Sequence, residues 1–232
     1  MCYNLLLENA SGGTLADFIK KHRGVGLPED EARQYAWFIL WGIHHVHKNR
    51  YVHCNIRPEN IVLVPYVTRQ SQFMLIPKTA NFGLTKRAYS NKRLPPVSSK
   101  REMPCMAPEV VKANQQEPPS DIWAFGCVVY EMLTGVSPRS SKVAGGSIPK
   151  ISRVTSVSGQ SFLSKCFRRN DLSRFTAEGL FREDFVSALD SQLQGFEESM
   201  CDEMLGSNEA CDEGSSLESK AGSHFRRRTD YR

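Results

Sequence analysis

The chain has 232 residues and a mass of 26.2 kDa, enough for one ordinary domain with a buried core and room for a tail. Apolar residues make up 40% and charged residues 24%, a globular composition that excludes wholesale disorder, collagen and membrane-embedded classes. The net charge of +5 is too small to indicate nucleic-acid binding by itself. Seven widely spaced cysteines, none in a Cys-x-x-Cys pair, favour free thiols over a zinc site or a disulfide framework.

The N-terminal part of the chain predicts one strand and two helices. Residues 3–8 are typical of a short buried strand, which the Ser-Gly-Gly at 11–13 ends. Thr14 is placed to cap a short helix that reaches about residue 21. A longer helix is predicted over 28–49, because Pro and three acids open it and apolar residues then recur along one face.

The middle of the chain predicts short strands and one central helix. Three β-like runs occupy residues 51–52, 61–64 and 73–76. Residues 85–102 form a basic, polar segment. Residues 121–134 predict a helix with apolar residues almost all round, which indicates a central, buried position.

The C-terminal part predicts two short helices and a tail. The helices are expected over 161–167 and 176–189. Residues 197–218 then carry eight acids and no Lys or Arg, while residues 220–232 carry five basic residues and one acid. This composition predicts a folded domain over 1–190 and a disordered charged tail over 191–232.

Four short motifs follow one another in the middle of the chain. In chain order they are His53-Cys54-Asn55-Ile56-Arg57-Pro58-Glu59-Asn60, Asn81-Phe82-Gly83, Met106-Ala107-Pro108-Glu109 and Asp121-Ile122-Trp123-Ala124-Phe125-Gly126. Each motif alone is weak evidence. Together, in this order and each in the expected loop or helix start, the four motifs form a specific pattern.

The pattern resembles a eukaryotic protein kinase domain and covers about residues 3–189. The His-Cys variant of the catalytic loop, with the helix start at 26–33, is most similar to plant mitogen-activated protein kinase kinase kinases. The resemblance implies a mainly α (α+β) fold, a protein kinase-like C-terminal lobe. A kinase also needs a small N-terminal lobe with the phosphate loop and its lysine, and we expect that lobe to be absent because only Met1 and Cys2 precede the hinge strand.

Two catalytic positions of the family hold amides here. The family's catalytic Asp is Asn55, and an amide cannot accept the substrate hydroxyl proton. The metal-binding Asp of the Asp-Phe-Gly motif is Asn81, a much poorer ligand for Mg²⁺. The catalytic-loop lysine is Arg57, while Asn60, the second metal-side ligand, is retained.

Other family positions have a structural or binding role. The resemblance implies that His53 and Phe82 pack under the site and that Asp121 ties down the catalytic loop. It also implies that Glu109 and Arg174 form a buried ion pair that braces the lobe. Glu8 and Ala10 match the hinge that holds adenine. The family uses ATP and Mg²⁺, but we expect no bound cofactor here.

These features predict a catalytically inactive pseudokinase that works in signalling by binding protein partners, including other kinases of a cascade. One alternative is an active ATP-dependent Ser/Thr protein kinase, and another is a decayed gene product without function. We expect neither nucleic-acid nor membrane partners, and self-association through the uncovered strand at 5–7. A cytoplasmic location is expected, with a nuclear one as the alternative because of the arginines at 226–228.

Two further hypotheses concern single charged groups. Counting back from Glu109 places Glu102 near Arg57, so the Glu102 carboxylate is a candidate plug for the phosphate site. The alternative is that Glu102 lies in water and contacts nothing. His44 and His47 are spaced to share a helix face, but no acid or cysteine is spaced to complete a metal site, so a structural role is favoured.

Overall fold

A computed structural model describes residues 8–22, 24–67, 73–90, 105–138, 147–150, 156–187 and 189. The chain divides into one compact unit, Met1–Leu189, and a second unit, Asp190–Arg232, which lies outside the described residues. Most of the predicted N-terminal strand, much of the basic segment and the predicted tail also lie outside them.

The two N-terminal helices lie where the sequence predicts them. α1 spans Leu15–Lys21, and the Thr14 side chain caps it by accepting a hydrogen bond from the backbone N–H of Asp17 at 3.2 Å. α2 spans Glu29–Lys48 and begins after Pro28, with three acids in its first turn. Its buried face is the apolar stripe of the sequence, so α2 forms one wall of the core.

Two small antiparallel sheets carry the loops between the helices. β1 (Tyr51–Val52) pairs with β4 (Lys86–Arg87), a strand that the sequence did not predict. β2 (Ile61–Val67) pairs with β3 (Phe73–Thr79), and both run three residues further than predicted. The motif loops at 53–60 and 81–83 therefore lie side by side at the end of the β2–β3 pair.

The central helix, α4, spans Pro118–Thr134 and is buried along most of its length. It packs against α2 on one side and against α5 (Val157–Cys166) on another. Gly126 permits the close approach of α5, because a Cβ there would lie 2.7 Å from the Cβ of Cys166. α4 ends at Gly135, whose φ of 65° lies in the left-handed region.

α3, α5 and the last two helices differ from the sequence prediction. α3 (Pro108–Ala113), which the Ala-Pro-Glu motif opens, was not predicted. α5 begins earlier than expected because the Ser156 hydroxyl accepts from the backbone of Gly159 at 3.0 Å and caps it. The single helix predicted over 176–189 is wrong: α6 (Ala177–Phe181) and α7 (Asp184–Ser187) are separated by a turn in which the Glu183 N–H bonds to the Leu180 carbonyl.

Within the described ranges, no helix is both long enough and apolar enough to span a membrane.

Candidate functional site

One buried carboxylate holds the loop at 53–60 in place. Asp121, at the start of α4, is 1% exposed and accepts hydrogen bonds from the backbone N–H groups of His53 at 2.8 Å and Cys54 at 2.9 Å. His47 of α2 also contacts it, through Nε2 at 3.0 Å. Three elements thus converge on one side chain, which fixes the loop backbone at the catalytic-loop position.

The hydrogen bonds of the His53 ring define its tautomer and hold the backbone on both sides of the site. Its Nε2–H donates to the Ala80 carbonyl at 3.1 Å, and its Nδ1 accepts from the backbone of Asn55 at 3.2 Å. Burial lowers the pKa of His53, which keeps the ring neutral, as this acceptor role requires. The ring also packs on Phe82, with 4.8 Å between the centroids.

The structure brings the three asparagines of the predicted site together. The Asn60 side-chain nitrogen donates to the backbone carbonyl of Asn55 at 2.9 Å. The Asn60 side-chain oxygen in turn accepts from the Asn81 amide nitrogen at 3.2 Å. Asn81 is held in the left-handed region, with a φ of 65°. The retained asparagine therefore directs its oxygen at a neighbouring amide.

Arg57 already has a carboxylate partner within its own loop. Its Nε donates to Glu59 at 3.2 Å, and both side chains are partly exposed. Glu102, the predicted plug, lies outside the described residues, so that hypothesis stays a prediction.

The two hinge positions make contacts of their own. Glu8 pairs with Lys78 of β3, with Oε1 at 2.8 Å and Oε2 at 2.9 Å from the Lys78 nitrogen. The Ala10 carbonyl accepts from the Gly13 N–H at 3.1 Å and closes the turn that leads into α1. Both polar groups thus serve the local structure around the start of α1 and the edge of β3.

Glu109 and Arg174, 65 residues apart in the chain, meet in a buried ion pair. The Arg174 side chain is 0% exposed, and its two terminal nitrogens donate to the Glu109 oxygens at 2.6 and 3.0 Å. Arg174 also donates to the Pro119 and Arg168 carbonyls and lies over the Trp123 ring. This pair ties α3 to the start of α4 and to the segment before α6.

The donor chemistry of the cleft is amide chemistry. Asn55, Asn60 and Asn81, which the sequence predicts for the base and the metal ligands, all carry neutral amides, whereas Mg²⁺ prefers carboxylates. Among the residues that the structure describes, no three His, Cys, Asp or Glu side chains form a candidate metal cluster, and His47 is engaged with Asp121. This donor set does not fit a catalytic magnesium ion.

Sequence reasoning missed one buried ion pair beside the site. Lys86 of β4, whose side chain is 4% exposed, pairs with Glu117 at 2.7 Å, and the other Glu117 oxygen accepts from the backbone N–H of Tyr89 at 2.6 Å. This anchors the segment after β4 to the start of α4. A lysine in a two-residue strand carries no sequence signal for burial, and Glu117 lies in no motif.

Three features together define a protein kinase-like C-terminal lobe. The loop at 53–60 is tied to the buried carboxylate of Asp121, and His53 packs on Phe82 of the Asn-Phe-Gly motif. The helix that the Ala-Pro-Glu motif opens is braced by the Glu109–Arg174 pair. The family model described as protein kinase domain matches residues 2–186. The chain therefore belongs to the protein kinase family.

The relatives of this chain include plant mitogen-activated protein kinase kinase kinases. Arabidopsis thaliana mitogen-activated protein kinase kinase kinase 20 is 37% identical over 199 residues, which cover 80% of this chain and 56% of that protein. Mitogen-activated protein kinase kinase kinase 17 of the same plant is 31% identical, over 80% of this chain and 50% of that protein. YODA, also from Arabidopsis, is 32% identical over 78% of this chain and 20% of its own length. The chain spans about half the length of the first two relatives.

Proposed function

We propose that this chain is a catalytically inactive protein kinase-like domain that acts in a mitogen-activated protein kinase cascade by binding and competing for protein partners. The observation that carries the proposal is the contact between Asn81 and Asn60: the one retained metal-side oxygen accepts a hydrogen bond from the residue that replaces the metal-binding carboxylate. The cascade is proposed from the names of the relatives.

The first missing element is a proton acceptor. Asn55 occupies the position from which a carboxylate would take the substrate hydroxyl proton, and a neutral amide has no useful basicity. Its backbone is held by the His53 ring, so the loop is correctly built around a residue that cannot perform the step. Positioning alone would leave phosphoryl transfer without its base.

The second missing element is negative charge for magnesium. Three amides in place of two carboxylates and one amide leave the ion's charge uncompensated, which weakens its binding and that of the phosphates it would bridge. The cleft therefore discriminates against Mg-ATP. Asn55, Asn60 and Asn81 lie within the chain, so the lack of carboxylates holds whatever precedes Met1.

The supporting framework is intact, which favours binding as the retained activity. Asp121, the Glu109–Arg174 pair and the tilted packing of His53 on Phe82 preserve the shape of a kinase C-lobe although the chemistry is lost. A surface of the same shape as an active relative is suited to occupy that relative's protein partners. Competition for substrates or scaffolds of the cascade needs no phosphoryl transfer.

The test is inhibition in trans. An active mitogen-activated protein kinase kinase kinase domain is mixed with its protein substrate at a concentration below KM, and this chain is titrated in. We expect the rate of substrate phosphorylation to fall as the titrated concentration rises, with an equal amount of albumin as the control. A rate that stays constant throughout the titration would contradict the competitive role.

A second test addresses the cleft. Because the site lacks carboxylates for the metal, Mg-ATP should leave the melting temperature of the chain unchanged, whereas an active relative is stabilised by the same titration. A melting temperature that rises with Mg-ATP and does not rise in Asn60→Ala would favour the active-kinase alternative.

A further inference from the structure

A groove of about 620 Å³ lies away from the nucleotide cleft. It is bounded by the end of α2, the residues after β4, the start of α4 and the segment that leads into α6. None of Asn55, Asn60 and Asn81 lines the groove, so the groove is separate from the catalytic loop.

The floor of the groove is apolar. The apolar residues that line it are Pro118, Pro119 and Ile122 of α4, together with Phe175 and Ala177. Ile122 and Ala177 are almost fully buried, so this floor is part of the core packing and is rigid. A floor of this kind receives an apolar side chain in preference to a polar one.

One wall of the groove is basic. Lys48 and Arg50, which follow each other closely at the end of α2, are both exposed and line it. In the part of the chain that the structure describes, no carboxylate forms an ion pair with either of them. The acid that lines the groove, Glu178, is engaged with Arg182 at 2.9 Å. The wall therefore presents two cations to a ligand.

The rim between the wall and the floor is held in a defined shape. Arg50 and Tyr89 both have left-handed backbones, with φ of 61° and 57°. The Ala88 N–H donates to the Arg50 carbonyl at 2.9 Å, and the Tyr89 N–H donates to the Glu117 carboxylate at 2.6 Å. Tyr89, 79% exposed, is thus fixed at the edge with its ring in solvent. A preorganised rim reduces the entropy that a ligand loses on binding.

We propose that this groove binds an acidic peptide segment of a protein partner, with an apolar side chain on the floor and carboxylates against Lys48 and Arg50. The inference rests on the partner-binding role proposed above and names the surface and the class of ligand. Charge complementarity selects the acidic segment, because the wall offers the cations of Lys48 and Arg50. The apolar floor favours a peptide over a nucleic acid, because a nucleic acid would place its charged phosphates against the prolines of the floor.

The test uses fluorescence anisotropy with the full chain. The probe is a fluorescein-labelled peptide that alternates Glu with Leu and Phe, and the comparison peptide has Lys at every Glu. We expect the acidic peptide to bind and the basic one not to bind. Raising NaCl from about 0.1 M to about 0.5 M should weaken the complex, because exposed charges are screened.

Three variants locate the contact. The double substitution Lys48→Glu and Arg50→Glu should weaken binding at least about tenfold, because it reverses the wall. Tyr89→Asn should also weaken it while keeping a residue that tolerates the left-handed backbone. Lys112→Glu on α3 is the matched control, since Lys112 is an exposed cation outside the groove and should leave the affinity unchanged.

Several results would overturn the proposal. Absence of binding by the acidic peptide, equal binding of both peptides, or an equal loss in Lys112→Glu would each do so. A dimer in sedimentation equilibrium that dissociates in the double variant would assign the groove to a second copy of the chain. Failure here leaves inhibition in trans and the absence of phosphoryl transfer to be judged by their own assays, so the two proposals fail separately.

Discussion

Removing the Glu109 carboxylate should destabilise the domain more than any surface change. Arg174 is 0% exposed at its side chain and depends on Glu109 for both of its bidentate contacts, at 2.6 and 3.0 Å. In Glu109→Ala the guanidinium keeps the Pro119 and Arg168 carbonyls but loses its counter-charge. Breaking a buried pair on one side costs about 3–5 kcal/mol in unfolding free energy.

The magnitude can be converted to a temperature. A domain of this size loses about 2–4 °C of melting temperature per kcal/mol, so the expected drop is about 6–20 °C. Circular dichroism at the helix band, recorded during heating and in urea, measures it. Glu109→Gln, which keeps an acceptor but no charge, should fall between the wild type and the Ala variant.

The control is a pair with the same chemistry at the surface. Glu178 and Arg182 are 2.9 Å apart, but their side chains are 68% and 76% exposed. Glu178→Ala should cost only about 0–1 kcal/mol. Equal melting temperatures for Glu109→Ala and Glu178→Ala would refute the reasoning, because the buried environment would then contribute nothing.

Three further predictions test the packing, the histidine and the second buried pair. Gly126→Ala should destabilise the domain by about 1–3 kcal/mol in urea unfolding, because the new Cβ would lie 2.7 Å from the Cβ of Cys166. Gly179→Ala is the control and should be neutral or stabilising. Equal effects of the two substitutions would contradict the close helix contact. Because burial lowers the pKa of His53, the folded state resists protonation of this ring, and the stability that this gives is complete above about pH 6.5 and lost as the pH falls below that value. Between about pH 7.5 and 5.5, His53→Gln should therefore lose less unfolding free energy than the wild type. An equal loss in the two proteins would count against a neutral ring. Glu117→Gln should cost about 1–3 kcal/mol in thermal unfolding, because it keeps an acceptor but leaves the buried Lys86 without a counter-charge. Adding Lys86→Met should recover most of this cost, and no recovery would show that the charge is not the cause.

Much of the fold follows from local sequence signals. The helix α2 was predictable because its apolar residues recur with helical spacing and three acids open it. The motif order predicted the family, which the match over residues 2–186 confirms. Family positions also predicted which residues would meet across the chain, such as Glu109 and Arg174, which no local pattern could bring together.

The remaining features depend on contacts that the sequence does not encode locally. β4 is a two-residue strand in a basic segment, and it forms only because β1 lies beside it. The break between α6 and α7 depends on a turn at Leu180–Glu183, where no Gly or Pro marks a helix end. The hydrogen bond between Asn81 and Asn60 was not predictable either, because motif matching gives positions and not side-chain partners.

Phosphoryl transfer is the measurement that tests the central claim most directly. The purified chain is incubated with γ-labelled ATP, Mg²⁺ or Mn²⁺ and a generic Ser/Thr substrate, beside an active mitogen-activated protein kinase kinase kinase domain as the positive control. Because Asn55 and Asn81 replace the base and the metal carboxylate, incorporation should equal the protein-free blank. Incorporation above the blank that disappears in Asn60→Ala would contradict the account, since it would show catalysis by this cleft.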